Sequence, residues 1–105
     1  VFKVTMNESL AVALLTNLLK NAFVHNIDGG HIRITVTKNG ITFRNSGVEH
    51  PLNKEHIFER FYQGSKKEGS TGLGLAIADS ICRLQHLNIK YYFEQNEHCF
   101  EISQS

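Results

Sequence analysis

A chain of 105 residues with 41% hydrophobic side chains holds enough apolar material for one compact core and too little for two, so a single domain spanning residues 1–105 is expected. A formal net charge of +1, with acids and bases interleaved, makes no broad basic field and argues against a nucleic-acid partner. Cys82 and Cys99 fall in a helical and a strand pattern, form no secreted disulfide framework and read as reduced structural thiols; the N-terminus shows no signal pattern, and no apolar run nears the ~20 residues that cross a bilayer.

Residues 1–6 read as a short strand, and Thr5-Met6-Asn7-Glu8 has the spacing of a capping box, so a helix should follow. Leu10, Leu14 and Leu18 fall on one ridge of that helix and Leu15 and Leu19 on the next, the 3.6-residue spacing of a buried face, until Asp28-Gly29-Gly30 ends it. Ile32, Ile34 and Val36 alternate with Arg33, Thr35 and Thr37, turn at Asn39-Gly40 and resume as Ile41 and Phe43, predicting a hairpin. Irregular polar sequence runs from residue 45 to about 54, and a short helix is expected over 56–62. A second full helix is signalled by Leu73, Ile77, Ile81 and Leu84. Ile89, Tyr91 and Phe93, a turn near Asn96, then Phe100 and Ile102 close the chain as a second hairpin. Helices interrupting mostly antiparallel strands imply a two-layer α/β (α+β) sandwich, with helices on one face of a mixed sheet. The sparse regular structure over residues 45–70 reads as a lid or binding loop.

Four of the eight glycines fall within "GSKKEGSTGLG", residues 64–74. A P-loop match fails because Ser70 stands where the lysine is needed, and a dinucleotide fingerprint fails because Gly72-Leu73-Gly74 follows a charged loop rather than a strand. The shared physics survives. Glycines let the backbone approach an anion, and a helix beginning near Gly72 points its amides and positive dipole end toward it. An ordinary tight loop accounts for the glycines equally well.

The first helix adds a second feature. In "NLLKNAFVHN", Asn17, Asn21 and His25 are spaced four apart and occupy one ridge beside the leucine face. Asparagine competes with the backbone for hydrogen bonds and is a poor helix former, so two in this register invite an explanation. Spacing alone leaves open a pair of solvated or self-satisfied amides. The functional alternative is that neutral amide oxygens hold Mg²⁺ already neutralised by phosphate.

"NLLKNAFVHN", "NSG", "IFERFYQ" and "GSTGLGLAI" together resemble, in order and approximate spacing, the N, G1, F and G2 boxes of sensor histidine kinases, in the superfamily shared with gyrase, the Hsp90 chaperone and MutL. The resemblance implies the Bergerat fold: a mixed, mostly antiparallel sheet under about three helices, with ATP beneath a lid at about 45–70. It assigns Asn21 and Asn17 to Mg²⁺ and the phosphates, and Gly69, Thr71, Gly72 and Gly74, with Leu73 between them, to the phosphate cradle. Asn45 and Gly47 match the base-binding box, Phe58 and Phe61 the aromatic box, and His25 and Arg60 flank the nucleotide. Asn17 matches the glutamate that activates water in the ATP-hydrolysing relatives, and an amide cannot act as that base. Transfer of the γ-phosphoryl group to a positioned acceptor is therefore expected over hydrolysis.

The departures predict weakened binding. Asn45 replaces the aspartate that accepts from the adenine amino group, and an amide also donates, so base discrimination should fall. Val24 and Gln63 stand where a lysine and an arginine are common, with Lys20, Arg60, Lys66 or Lys67 as substitutes. A degenerate regulatory module on the same fold is the alternative reading. None of His25, His31, His50, His56, His86 or His98 has the context of a phosphoacceptor, and all six read as structural or solvent-exposed. The resemblance places that acceptor on a preceding dimerisation domain, passes the phosphoryl group to a response regulator, and implies a homodimeric, membrane-anchored bacterial sensor of which this is a cytoplasmic part. No autophosphorylation is expected from this chain alone.

Overall fold

The computed structural model describes residues 5–24, 29–47, 49, 51–52, 56–59 and 73–104. In chain order these form α1 (Glu8–Val24), β1 (Ile32–Val36), β2 (Gly40–Asn45), α2 (Gly74–Leu84), β3 (Leu87–Glu94) and β4 (Glu97–Gln104). The sheet order is β1-β2-β4-β3, and every pairing is antiparallel, so among the described residues the expected mixed sheet has no parallel pair. Two helices, not three, stand among those residues; His56–Phe58 form a turn closed by the Glu59 N–H donating to the His56 carbonyl (2.9 Å). Of the expected first strand, residues 1–4 lie outside the described set and residues 5–7 have no regular structure.

α1 begins two residues later than the capping box predicts. The Asn7 carbonyl accepts from the Ala11 N–H (3.0 Å) and its Oδ1 accepts from the Ser9 N–H (2.8 Å), so Asn7 is the N-cap. Leu14, Leu18 and Ala22 are buried at successive turns, while Leu15 is exposed. In α2 the buried face consists of Ala76, Ala78, Ile81 and Cys82, and Ile77 and Leu84 point outward. The helix signalled by Leu73, Ile77, Ile81 and Leu84 is present, but of these four only Ile81 is fully buried on its inner face. Small side chains permit the close packing of α1 against α2, and the larger ones are left outside it.

Both hairpins occur where the alternation predicts them, but their turns differ. In the second, Gln95 and Asn96 both adopt left-handed backbone (φ 53° and 61°), the two-residue turn whose twist matches the strands. In the first, the loop is Lys38–Asn39, closed by the Thr37 N–H donating to the Gly40 carbonyl (2.9 Å). Gly40 is instead the first residue of β2, where an added Cβ would stand 2.1 Å from the Ile102 carbonyl oxygen. Its role is to let β4 lie against β2.

Phe43, Tyr91, Phe100 and Ile102 project from the sheet toward Leu14, Leu18, Ala78, Ile81 and Cys82 and form one core with Ile57 and Leu87. Burial raises the Cys82 thiol to about 11 and raises Cys99 as well, so both remain protonated at neutral pH, as inert structural thiols should. The opposite sheet face carries ion pairs. Glu97, buried, accepts from Arg33 Nε (3.1 Å) and Nη2 (2.5 Å) and from His31 Nε2 (2.6 Å). The Arg33 hydrogen bond, helped by His31 and opposed by burial, holds the Glu97 carboxyl below the ordinary carboxylate range. A depressed folded pKa adds stability above the unfolded value of about 4.3, and this is lost as pH falls through the folded value. Glu97→Gln is thus expected to lower the urea midpoint at pH 7, with the gap to the parent narrowing toward pH 3. An equal gap at both pH values would contradict this.

Candidate functional site

Asn17 and Asn21 are half-buried on adjacent turns of α1, on the flank of the face that buries Leu14 and Leu18. Asn17 Nδ2 donates to the Ala13 carbonyl at 2.7 Å, the local bond that makes asparagine a compromised helix former. That bond turns Oδ1 away from α1 and toward α2, where it stands 3.3 Å from the point a Cβ on Gly74 would occupy. The absence of a side chain at Gly74 therefore lets the first turn of α2 sit against the amide ridge of α1. Asn21, one turn on, has no hydrogen-bond partner for its amide among the described residues.

α2 starts beside this ridge. Leu73, half-buried, is the N-cap (φ −109°, ψ −25°), and its side chain makes no capping bond to the first-turn N–H groups. Those groups and the positive end of the helix dipole favour an anion there. An open hollow lined by Glu8, Ser9, Val12, Ala13, Thr16 and Asn17 meets the site at Asn17.

The sheet contributes Asn45, the last residue of β2 rather than the start of an irregular loop. It pairs with Ile32 at the beginning of β1, so it lies at the sheet end to which the chain returns from α1. Only 2% exposed, Asn45 donates Nδ2 to the Ser46 carbonyl at 2.7 Å. Only the NH₂ end can face a carbonyl, so the contact fixes the amide orientation and leaves Oδ1 as the acceptor. The next residues are clamped: the Ser46 N–H donates to the His31 carbonyl (3.1 Å), the His31 N–H donates to Ser46 Oγ (2.8 Å), and Gly47 is buried.

Asn17 and Gly74 are thus brought together, with Leu73 and Asn21 one step from that junction, and Asn45 and Gly47 sit at the end of β2. His25, Arg60, Gly69, Thr71 and Gly72 lie outside the described residues, as do Phe61, Gln63, Lys66 and Lys67. Phe58 packs edge-on against Phe100 (centroids 6.4 Å apart, 77° between planes), although the adjacent Ile57, 1% exposed, is the deeper anchor. The sequence places Tyr91 in a strand and His98 among the structural or exposed histidines but does not mark their contact. The Tyr91 hydroxyl accepts from the Leu52 N–H (2.9 Å) and lies 2.7 Å from His98 Nδ1. Leu52 is 39 residues from Tyr91, so no local pattern marks the contact.

Residues 6–103 match the family described as "Histidine kinase-, DNA gyrase B-, and HSP90-like ATPase". The chain is 44% identical over 84 residues to the sensor histidine kinase RppB of Synechocystis sp., covering 71% of this chain and 18% of that protein. It is 40% identical over 90 residues to the heme sensor protein HssS of Staphylococcus aureus, covering 81% of this chain and 20% of that one. The chain thus spans about a fifth of the length of these curated relatives. Among solved structures it resembles the catalytic domain of histidine kinase ThkA, with a TM-score of 0.77 and 27% identity over 94% of this chain and 68% of that one. Among the described residues no helix is long and apolar enough to cross a membrane.

Proposed function

The chain belongs to the histidine kinase-, DNA gyrase B- and HSP90-like ATPase family, and on that premise we propose that it binds ATP and delivers the γ-phosphoryl group to a histidine on a separate dimerisation domain of the same sensor kinase. The observation that carries this reading is the junction of Asn17 with Gly74, which sets neutral oxygen donors against an anion-favouring helix start. The amide oxygens of Asn21 and Asn17 suit Mg²⁺ shared with phosphate oxygens, since this ion takes hard oxygen ligands and retains water. When bound, Mg²⁺ would neutralise charge developing on the phosphoryl oxygens. The glycine-rich run that includes Gly69, Thr71, Gly72 and Gly74 would cradle the phosphates with main-chain N–H groups, flanked by His25 and Arg60. Asn17 has no basic oxygen with which to deprotonate water, so the site orients an acceptor rather than activating a hydrolytic nucleophile. The onward partner is a response regulator, and the full protein is a dimeric, membrane-anchored sensor with this domain on the cytoplasmic side. The lid expected at about 45–70 would begin beyond the Ser46–Gly47 clamp, since Asn45 belongs to β2.

The experiment is to mix the domain, ATP and Mg²⁺ with a histidine-bearing dimerisation domain and follow labelled phosphate. Transfer that depends on Asn21 supports the proposal. Nucleotide binding without transfer would leave the regulatory-module reading, which Val24 and Gln63 favour, and steady phosphate release that survives Asn17→Ala would replace transfer with hydrolysis.

At the base end, the Asn45 donor is occupied by the Ser46 carbonyl, which leaves Oδ1 as the acceptor and supports discrimination between bases in spite of the missing aspartate. ATP should bind at least tenfold more tightly than GTP, about 1.4 kcal/mol. The family-typical aspartate should not improve this chain. Asn45→Asp would set a carboxylate oxygen against the Ser46 carbonyl at 2.7 Å in a buried position and is expected to cost roughly 1–3 kcal/mol of stability. A more stable or tighter-binding Asn45→Asp variant, read by urea titration and calorimetry, would count against the fixed orientation.

A further inference from the structure

We propose that Tyr91 is a positioning residue for the base end of the nucleotide pocket, holding the chain beyond Asn45–Gly47 to the sheet through the backbone of Leu52. The inference rests on the ATP-binding reading above and deepens it. Leu52 is half-buried against the core, and its N–H donates to the Tyr91 hydroxyl at 2.9 Å. Tyr91 is itself fixed: it is 5% exposed, lies 5.1 Å centroid to centroid from Phe100, and stacks on His98 at 5.9 Å with 22° between planes. Having accepted from Leu52, the hydroxyl has its own proton to give to His98 Nδ1, 2.7 Å away.

His98 connects this pair to the site. It is the cross-strand partner of Asn45, and paired residues on adjacent strands share a sheet face. One hydroxyl thus joins two things that a bound base would need in fixed relation: the neighbour of the acceptor Asn45, and the segment that leaves the Ser46–Gly47 clamp. That segment is fastened again farther on, where Ile57 is buried and Phe58 meets Phe100, but those contacts are apolar and do not fix a backbone amide. Tyr91 touches no nucleotide in this account; it acts through Leu52 and His98.

Tyr91→Phe keeps the ring and its packing and removes the hydroxyl. The expected result is a five- to tenfold weaker ATP dissociation constant by calorimetry with Mg²⁺, the scale of one lost hydrogen bond. Hydrogen exchange at the Leu52 amide should accelerate at least tenfold, with the Phe100 amide of β4 unchanged. Because coupling between two events is reciprocal, saturating ATP should also slow exchange at the Leu52 amide of the unsubstituted chain by a similar factor, a measurement that needs no variant to fold. A Tyr91→Phe affinity within twofold of the parent, or Leu52 exchange indifferent to ATP, would overturn the inference while leaving ATP binding intact. An unsubstituted chain that fails to bind ATP would remove both.

Discussion

Asn21→Ala is expected to stabilise the domain slightly while lowering phosphotransfer to the dimerisation domain by about 100-fold or more, the scale seen when one group that stabilises developing charge is deleted. The two signs follow from one observation. The Asn21 amide is half-buried and has no partner among the described residues, so its removal breaks no hydrogen bond there. Alanine is the better helix former by roughly half a kcal/mol, and position 21 lies inside α1. Stability and activity should therefore move in opposite directions, which a merely structural asparagine would not produce. The check is a pair of measurements on one preparation: the urea midpoint without nucleotide and the rate of labelled phosphoryl transfer. Transfer at the parental rate would remove Asn21 from the site. Asn17 would be a poorer probe, because its amide is committed to the Ala13 carbonyl and stands against Gly74, so truncation disturbs the helix junction as well as any ligand.

The second large effect concerns the seam between β2 and β4. Gly40→Ala would place a methyl 2.1 Å from the Ile102 carbonyl oxygen, 3.1 Å from its carbon and 3.3 Å from Ser103 Cα, and all three are backbone atoms. No side-chain rotation relieves such a contact, so the strands must part or shift at the centre of the sheet. A loss of about 3 kcal/mol or more is expected, at the upper end of overpacking costs. Guanidinium denaturation of the variant beside the parent tests it, and a loss below about 1 kcal/mol would show that the seam opens without strain. No candidate ligand residue is altered, so ATP affinity per folded molecule should be unchanged.

The same glycine shows where sequence reading reaches its limit. Asn39-Gly40 carries the composition of a tight turn, yet the turn falls one residue earlier and the glycine serves a strand that pairs some 60 residues away in the chain. Period-two alternation over Ile32–Val36 and Leu87–Glu94 located both hairpins because each is a local property of the chain. In α2, close helix packing buries Ala76, Ala78 and Cys82 beside Ile81 and leaves Ile77 and Leu84 exposed, so apolar size alone does not mark the buried face. Glu97 with His31 and Arg33, and Tyr91 with Leu52, join residues far apart in the chain, and nothing near any of them marks the partner. Of the candidate site, the Asn17–Asn21 ridge and the glycine at 74 were legible, since helical spacing and glycine-rich composition are local signals. What the Asn45 amide does with its two ends was not, because that depends on the direction of a single carbonyl.

The β2–β4 pairing has a kinetic consequence. It joins residues 40–45 to residues 98–103, and the chain between them holds α2, the Leu52 anchor and most of the candidate ligand groups. Closing so long a loop is an entropic cost met before the paired strands return any energy, which places this step near the top of the folding barrier. The Leu73–Gly74 side of the candidate site is enclosed by that closure and matures with it, while the Asn17–Asn21 ridge of α1 lies outside it. A nascent chain still lacking β4 should therefore have little affinity for ATP, and competence should arrive abruptly when the final strand docks.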